Sequence, residues 1–303
     1  MNNGLRALIE AELATAALDV VVALAEALAD PERDLAILYY GSTLRTRDLT
    51  GILDFYRLTK APHRRGLRGV VERVLWPEVS YHEVQVEGAL LRAKVATLPL
   101  AQFQRAAQGR TLDTTIWARF VQPCQLVWRA DVAAGRQAAE ACADAVITAA
   151  RFAARLGPAC GPAKAYWISL FRNTYAAEFR VESTDRAESL LAMSGERYAE
   201  LLPLAWRAGG VVFEGDLEAL TPVKRGLPRW GWPNAAGRPL NIARLAKAAF
   251  TFEGAARYAA WKVQRHTGLE IPVTPFAERY PLLAAPGAWL RLRRRQAEAR
   301  RGR

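Results

Sequence analysis

The sequence predicts an α/β domain followed by a mostly helical domain, on three observations. Strand-like runs crowd into the first 129 residues, the pattern turns to long helical periodicities from Ala130 onward, and 303 residues are enough for two domains. The expected divisions are 1–129, 130–280 and a basic amphipathic tail at 281–303.

Apolar spacing over residues 8–29 predicts one amphipathic helix, ended by Asp30-Pro31. Residues 34–40 and 51–58 alternate as strands on either side of Gly41-Ser42. A short helix is expected at 66–75, closed by Pro77. SYHEVQV (80–86) and ALLRAKVATL (89–98) pair as a hairpin through Glu87-Gly88. Short helices at 99–107 and 113–119 then lead to a strand at 125–128. Beyond Ala130 come helices at 130–156, 163–173, 185–208 and 238–266, with a turn segment, GLPRWGWPNAAGRP (226–239), separating the last two. A small strand is expected from Glu178 to Val181, and no internal repeat interrupts the order.

Composition narrows the function classes. Cys124, Cys142 and Cys160 lack metal-ligand spacing, and an odd count argues against a disulfide framework. Three histidines, His63, His82 and His266, are too few for a histidine-rich metal site. Residues 5–29 carry Arg6, Glu10, Glu12, Asp19 and Glu26, which a signal peptide would not, and no apolar run reaches the roughly 18–20 residues that span a bilayer. The expectation is a soluble or surface-associated protein, cytoplasmic and peripheral on the inner face of a membrane. A net charge of +12 calls for an anionic partner, nucleic acid or an anionic membrane. Residues 291–303 hold seven arginines against one glutamate, preceded by Tyr280, Leu282, Leu283, Trp289 and Leu290. Apolar anchors followed by dense arginine suit an anionic headgroup boundary, at about 1 kcal/mol per basic residue. A disordered basic tail without a single partner fits the same composition.

The segment YYGSTLRTRDLTGILDFYRLT (39–59) carries the most chemistry. Glycine lets the backbone turn tightly against a phosphate, and the Ser42 hydroxyl with the free N–H groups of a following helix start can hold a triphosphate. Asp54, on the next strand, can hold the Mg²⁺ that bridges phosphates. Ile52, Asp54 and Tyr56 share one strand face, opposite Leu53 and Phe55, and an acid set among apolar neighbours needs a partner or a metal. The plainer reading makes Gly41-Ser42 an ordinary turn and Asp54 a cap or surface charge. A second metal-ligating acid is Asp48 in the loop or Glu83 on the following strand, and the sequence does not choose between them. Lys94 and Arg92, two apart on a strand, share a face and suit neutralisation of phosphate charge, as does Arg119.

Four blocks in register over residues 35–265 resemble the translocator assembly and maintenance (Tam) type of phosphatidate cytidylyltransferase. YYGSTLRTRDLTGILDFYRL (39–58) is similar to the family's Tyr-Gly-Ser, variable loop and hydrophobic-Asp-Phe. EGALLRAKVATLPLAQF (87–103) is similar to its Asn-Gly turn and lysine-bearing strand, with the lysine at Lys94, and WARFVQPCQLVW (117–128) places its arginine at Arg119. TYAAEFRVE (174–182) resembles Tyr-Ser-Gly-Asp-Phe-Arg and maps Tyr175, Glu178 and Arg180. LAKAAFTFEGAARYAAWK (245–262) resembles Lys-Gly-Ile-Phe-Thr-Ala-Gly and the helix after it, with Lys247, Phe250, Thr251, Tyr258 and Lys262 at matching positions.

The resemblance implies a nucleotidyltransferase-fold domain followed by a helical, winged-helix-like one. It implies condensation of CTP with phosphatidic acid to CDP-diacylglycerol and pyrophosphate, Mg²⁺ as cofactor, and attachment to an anionic membrane. Gly41, Ser42 and Arg119 would then bind nucleotide, Asp54 would hold the metal, Lys94 and Arg92 would act at the phosphates, and Arg180 and Lys247 are candidates for the lipid phosphate. The chain departs from the family in three ways. Asp-x-Asp becomes Asp54-Phe55-Tyr56, the loop before Asp54 is shorter than in eukaryotic members, and Glu87 and Glu178 replace asparagine and aspartate. A nucleotidyltransferase acting on RNA or a small molecule, and a non-catalytic nucleic-acid-binding protein, are the rival readings. No aromatic-basic RNA module is present, which counts against nucleic acid as a partner.

Overall fold

A computed structural model describes residues 3–60, 75–177, 188, 190–191, 195–231, 235, 239–240, 242–244, 247, 252–267, 272–280, 283–284 and 287. The strand expected around Glu178, nearly all of the helix expected at 66–75 and the arginine-rich residues 291–303 lie outside them.

The architecture is α/β, built on a mixed five-stranded sheet. Its strands are β1 (Asp34–Tyr40), β2 (Ile52–Thr59), β3 (Glu78–Val86), β4 (Ala89–Pro99) and β5 (Cys124–Arg129), in the spatial order β3-β4-β2-β1-β5. β2 and β4 run parallel and every other neighbouring pair is antiparallel. The β3–β4 connection is the expected two-residue turn. Glu87 (φ 50°) and Gly88 (φ 81°) both take positive φ, the geometry whose twist matches that of flanking strands.

Residues 8–29 do not form one helix. The chain makes α1 (Asn3–Leu13) and α2 (Asp19–Leu28), broken at residues 14–18. The physical cause is the sheet between them. Leu5, Ile9 and Leu13 of α1 pack with Ala36, Leu38 and Tyr56, whereas Val21, Leu24 and Ala25 of α2 pack with Ile37, Tyr39, Leu53 and Phe55. Alternation puts those two strand sets on opposite faces, so the chain must leave the helix to cross from one face to the other.

The helices α4 (Leu100–Ala107), α6 (Val132–Leu156) and α7 (Ala163–Ala177) come close to expectation, and α5 (Trp117–Phe120) and α8 (Gly195–Ala208) are shorter than expected as continuous described helices. α9 (Ala255–Thr267) follows, and α3 (Ser42–Thr46) and α10 (Pro275–Arg279) are short helices for which no bounds were expected. The helix expected at 238–266 is interrupted: residues 239–240, 242–244 and 247 are helical, Phe252, Glu253 and Gly254 are not, and α9 begins at Ala255. A two-stranded ladder, β6 (Phe213–Glu214) with β7 (Thr221–Pro222), follows α8.

The central helix α6 starts where the Asp131 carboxylate accepts from the Ala134 N–H at 2.7 Å. Its buried alanines let α1, α4, α5, α7 and α8 approach closely. Aromatic residues fill the outer layer, and the buried indoles of Trp206 and Trp167 have their N–H groups satisfied. Trp206 Nε1 donates to the Ala150 carbonyl and Trp167 Nε1 to the Tyr198 carbonyl, both at 2.8 Å. The boundary expected at residue 129 coincides with the end of β5, and one buried cluster runs across it from Ala36, Leu38 and Tyr56 to Trp167, Tyr198 and Trp206. That cluster covers part of one sheet face and leaves the Asp54 end of it to other elements.

Candidate functional site

Strand register assembles the site. Cys124, Tyr40, Asp54, Lys94 and Tyr81 stand opposite one another across β5, β1, β2, β4 and β3. Residues in register project to the same face, so Asp54 and Lys94 are neighbours with Cα atoms about 5 Å apart. Arg92, two residues before Lys94, lies on that face too. The opposite face at this level is apolar: Leu53, Phe55, Ala93 and Val95 are all buried against α2 and its surroundings.

Gly41 joins β1 to α3 in a conformation that L-residues avoid (φ 99°, ψ −161°). A Cβ added there would meet Asp54 Oδ2 at 2.9 Å. The backbone therefore lies directly against the carboxylate, with no space for a side chain between them. Ser42 follows, exposed, as the first residue of α3.

The two other acids are placed differently. Asp48 is exposed and its Oδ1 accepts from the Thr50 hydroxyl at 2.6 Å and the Thr50 N–H at 2.9 Å. These bonds hold its carboxyl below the usual aspartate range. Glu83 faces Arg92 in register, with Oε1 3.5 Å from the Arg92 Nε, and it accepts the Tyr81 hydroxyl at 3.0 Å. β4 lies between Glu83 and Asp54, a lateral separation of roughly 10 Å. Burial first, and then the Glu83 carboxylate, push the Tyr81 phenol well above the ordinary tyrosine range. Tyr81 is thus a lasting donor. Among the described residues, no three His, Cys, Asp or Glu side chains form a group that could hold a metal ion.

Arg119 reaches the same face from α5. Its guanidinium donates to the Tyr56 hydroxyl at 2.8 Å and lies 5.6 Å from the Tyr40 ring centre and 5.8 Å from that of Tyr56. Tyr40 and Tyr56 flank Asp54, one across the ladder and one two residues along, so the arginine is fixed beside the acid by two aromatic rings.

Helix α9 covers the face from above, which sequence reasoning did not foresee. The segment before it docks on the edge of the sheet: the Tyr81 N–H donates to the Glu253 carbonyl at 2.9 Å, and a Cβ on Gly254 would meet the Tyr81 carbonyl at 2.5 Å. Tyr258 packs edge-on against Tyr81, the Trp261 ring stacks on the Arg92 guanidinium at 5.9 Å, and Arg265 NH1 reaches the Thr50 carbonyl at 3.5 Å. Positions 258, 261 and 265 share one helical face. The helix thus runs from β3, over β4, to the loop before β2. Burial, and then the charge of Asp54, raise the Tyr258 phenol, which sets the acid within electrostatic range of α9. Half-buried aromatics on a helix ordinarily read as core, and no local signal marks these as facing a polar floor.

Of the residues expected at the lipid phosphate, Lys247 is half-buried and donates to the Leu75 carbonyl at 2.8 Å. Arg180 lies outside the described residues, as do Glu178, Phe250 and Thr251. Tyr175 is buried against Phe171. Register therefore brings Asp54, Lys94 and Arg92 together, with Gly41 and Arg119 beside Asp54, and holds Asp48 and Glu83 in contacts of their own. No protein-family model matches the chain, and no curated protein sequence matches it.

Proposed function

We propose that this protein is a nucleotidyltransferase that condenses CTP with phosphatidic acid, giving CDP-diacylglycerol and pyrophosphate at an anionic membrane surface. The observation that carries the reading is the Asp54 carboxylate held against the Gly41 backbone at the start of α3, with Lys94 in register beside it. One carboxylate and several cations thus share a face beside a glycine turn that opens a helix. The acceptor and the base come from the resemblance of the four sequence blocks.

The donor set fits a magnesium site of the substrate-assisted kind. Mg²⁺ needs only one or two protein carboxylates when phosphate oxygens and waters complete its shell. Asp54 would hold it, and when bound it shares the phosphate charge. The remaining work falls to the chain. The Gly41-Ser42 turn holds the β- and γ-phosphates, Lys94 and Arg92 neutralise charge on the transferring group, and Arg119 fixes the nucleotide beside Asp54. A phosphate oxygen of phosphatidic acid attacks the α-phosphorus of CTP in line, the bond to the β-phosphate breaks, and pyrophosphate leaves. The attacking monoester is already an anion near neutral pH, so no strong general base is required.

A second reading, a nucleotide-binding module without transfer, is favoured by one observation: Asp48 and Glu83 are each tied to local partners rather than joined to Asp54. Labelled CTP, Mg²⁺ and phosphatidic acid in anionic vesicles separate the two. The proposal expects labelled CDP-diacylglycerol from the wild type, reduced at least about 100-fold in Asp54→Ala. CTP binding without lipid product would favour the module, or transfer to another acceptor such as RNA. Absence of both would end the catalytic reading.

A further inference from the structure

Resting on the nucleotide site proposed above, we infer that α9 is the substrate-facing roof of that site, and that Arg92, Trp261 and Arg265 form its clamp for the polyphosphate of a nucleoside triphosphate. One indole holds two guanidinium groups, Arg92 at 5.9 Å from the floor and Arg265 at 5.3 Å from the helix. Guanidinium over indole is an attractive contact that orients the cation without consuming its hydrogen-bond donors. The Arg92 Nε is buried and makes no hydrogen bond, since Glu83 Oε1 stands 3.5 Å away as an ion-pair partner only. Glu83 therefore holds the Nε edge, and the part of Arg92 available to a phosphate is the remainder of its guanidinium, on a side chain that is a quarter exposed. Arg265 is exposed at the other end of the stack, where it meets the Thr50 carbonyl and feels the Asp48 charge.

The placement gives the clamp its ligand class. Arg92 shares a face with Lys94 and Asp54, and Asp54 lies against the Gly41 turn that opens α3. Trp261 hangs above that floor, and Arg265 closes the side next to the loop between Ser42 and Asp54. An anion of several charges would therefore meet cations from the sheet below and from the helix above. A lone phosphate would engage one side, and a triphosphate spans both. Planar guanidinium forks favour phosphate oxygens in pairs, which a solvated lysine does not.

Equilibrium dialysis with Mg²⁺ tests the inference, using CTP, inorganic triphosphate and CMP as probes of the full chain. Arg265→Gln is exposed and should fold, as thermal unfolding will verify. It should weaken CTP and inorganic triphosphate about tenfold, the scale of one charge-assisted contact, and leave CMP unchanged. Trp261→Phe keeps a ring and should retain most of the affinity, whereas Trp261→Ala frees both guanidinium groups and should lose more than Arg265→Gln. Unchanged CTP binding in Arg265→Gln and Trp261→Ala would overturn the clamp and leave the Asp54 site standing. Equal loss of CTP and CMP would also overturn it, because a merely structural helix would affect both. A wild type that binds neither CTP nor triphosphate removes the nucleotide reading itself and the clamp with it.

Discussion

Gly41 and Asp54 are packed so closely that a methyl group on Gly41 would lie 2.9 Å from Asp54 Oδ2. The same glycine holds φ 99°, where any side chain is strained. Gly41→Ala is therefore expected to fail twice, through the backbone and through the carboxylate. Stability should fall by about 1–3 kcal/mol, read by urea denaturation, and activity should fall further than unfolding explains, because Asp54 must move. A variant as stable and active as the wild type would show that the close approach has no role.

The fold was legible wherever local signals agree. Alternation set the five strands, and Glu87-Gly88 announced its turn because Gly88 takes positive φ freely, while Glu87 is carried into it by the hairpin. The break between α1 and α2 was not legible, since residues 8–29 keep an apolar spacing that one helix would satisfy. Only the sheet passing between Leu13 and Val21 forces the break. The site shows the same division. Gly41, Asp54 and Lys94 stood out by residue type and position, but the parallel pairing that sets Lys94 beside Asp54 is a tertiary choice. Trp261 and Arg265 were silent because a helical aromatic face looks identical over a core and over a polar floor.

His82 provides a pH test of the β3 region. Its Nε2 lies 2.8 Å from the Ser80 hydroxyl, and burial first, then Arg57, lower its pKa. The folded state therefore favours neutral imidazole. Below about 6.5, the ordinary histidine value, the unfolded chain takes up a proton that the folded chain resists. Stability from this group is present above that pH and is lost as pH falls toward the folded pKa. Urea unfolding from pH 8 to 5 should show the advantage of wild type over His82→Gln shrinking across that range. A constant difference would mean that the imidazole titrates alike in both states.

Arg197 of α8 pairs with both oxygens of Glu12 on α1 and also donates to the Val121 carbonyl at 3.0 Å. The two side chains are 14% and 24% exposed, so removing one leaves the other charged and largely out of water. Glu12→Ala is expected to cost about 3 kcal/mol. The loss should appear as a lower midpoint in thermal unfolding, with Arg197→Met in the same chain recovering part of it. A cost below about 0.5 kcal/mol would place the pair with ordinary surface ion pairs.

The proposed membrane attachment has its own structural handle in the residues of and after α10. Phe276, Tyr280 and Leu283 are 55%, 45% and 71% exposed, an apolar set with Arg279 between them. Aromatic and aliphatic groups beside arginine suit the headgroup boundary, and burying a phenylalanine there is worth about 1.5–3 kcal/mol. Phe276→Ser with Tyr280→Ser should then weaken sedimentation with phosphatidate-containing vesicles at least about tenfold. It should leave thermal stability unchanged, because neither ring belongs to the core. Raised salt should weaken the wild type as well, since the anionic surface acts through screened charges. If the double variant sediments like the wild type and only salt matters, these rings do not enter the bilayer and the attraction is purely electrostatic.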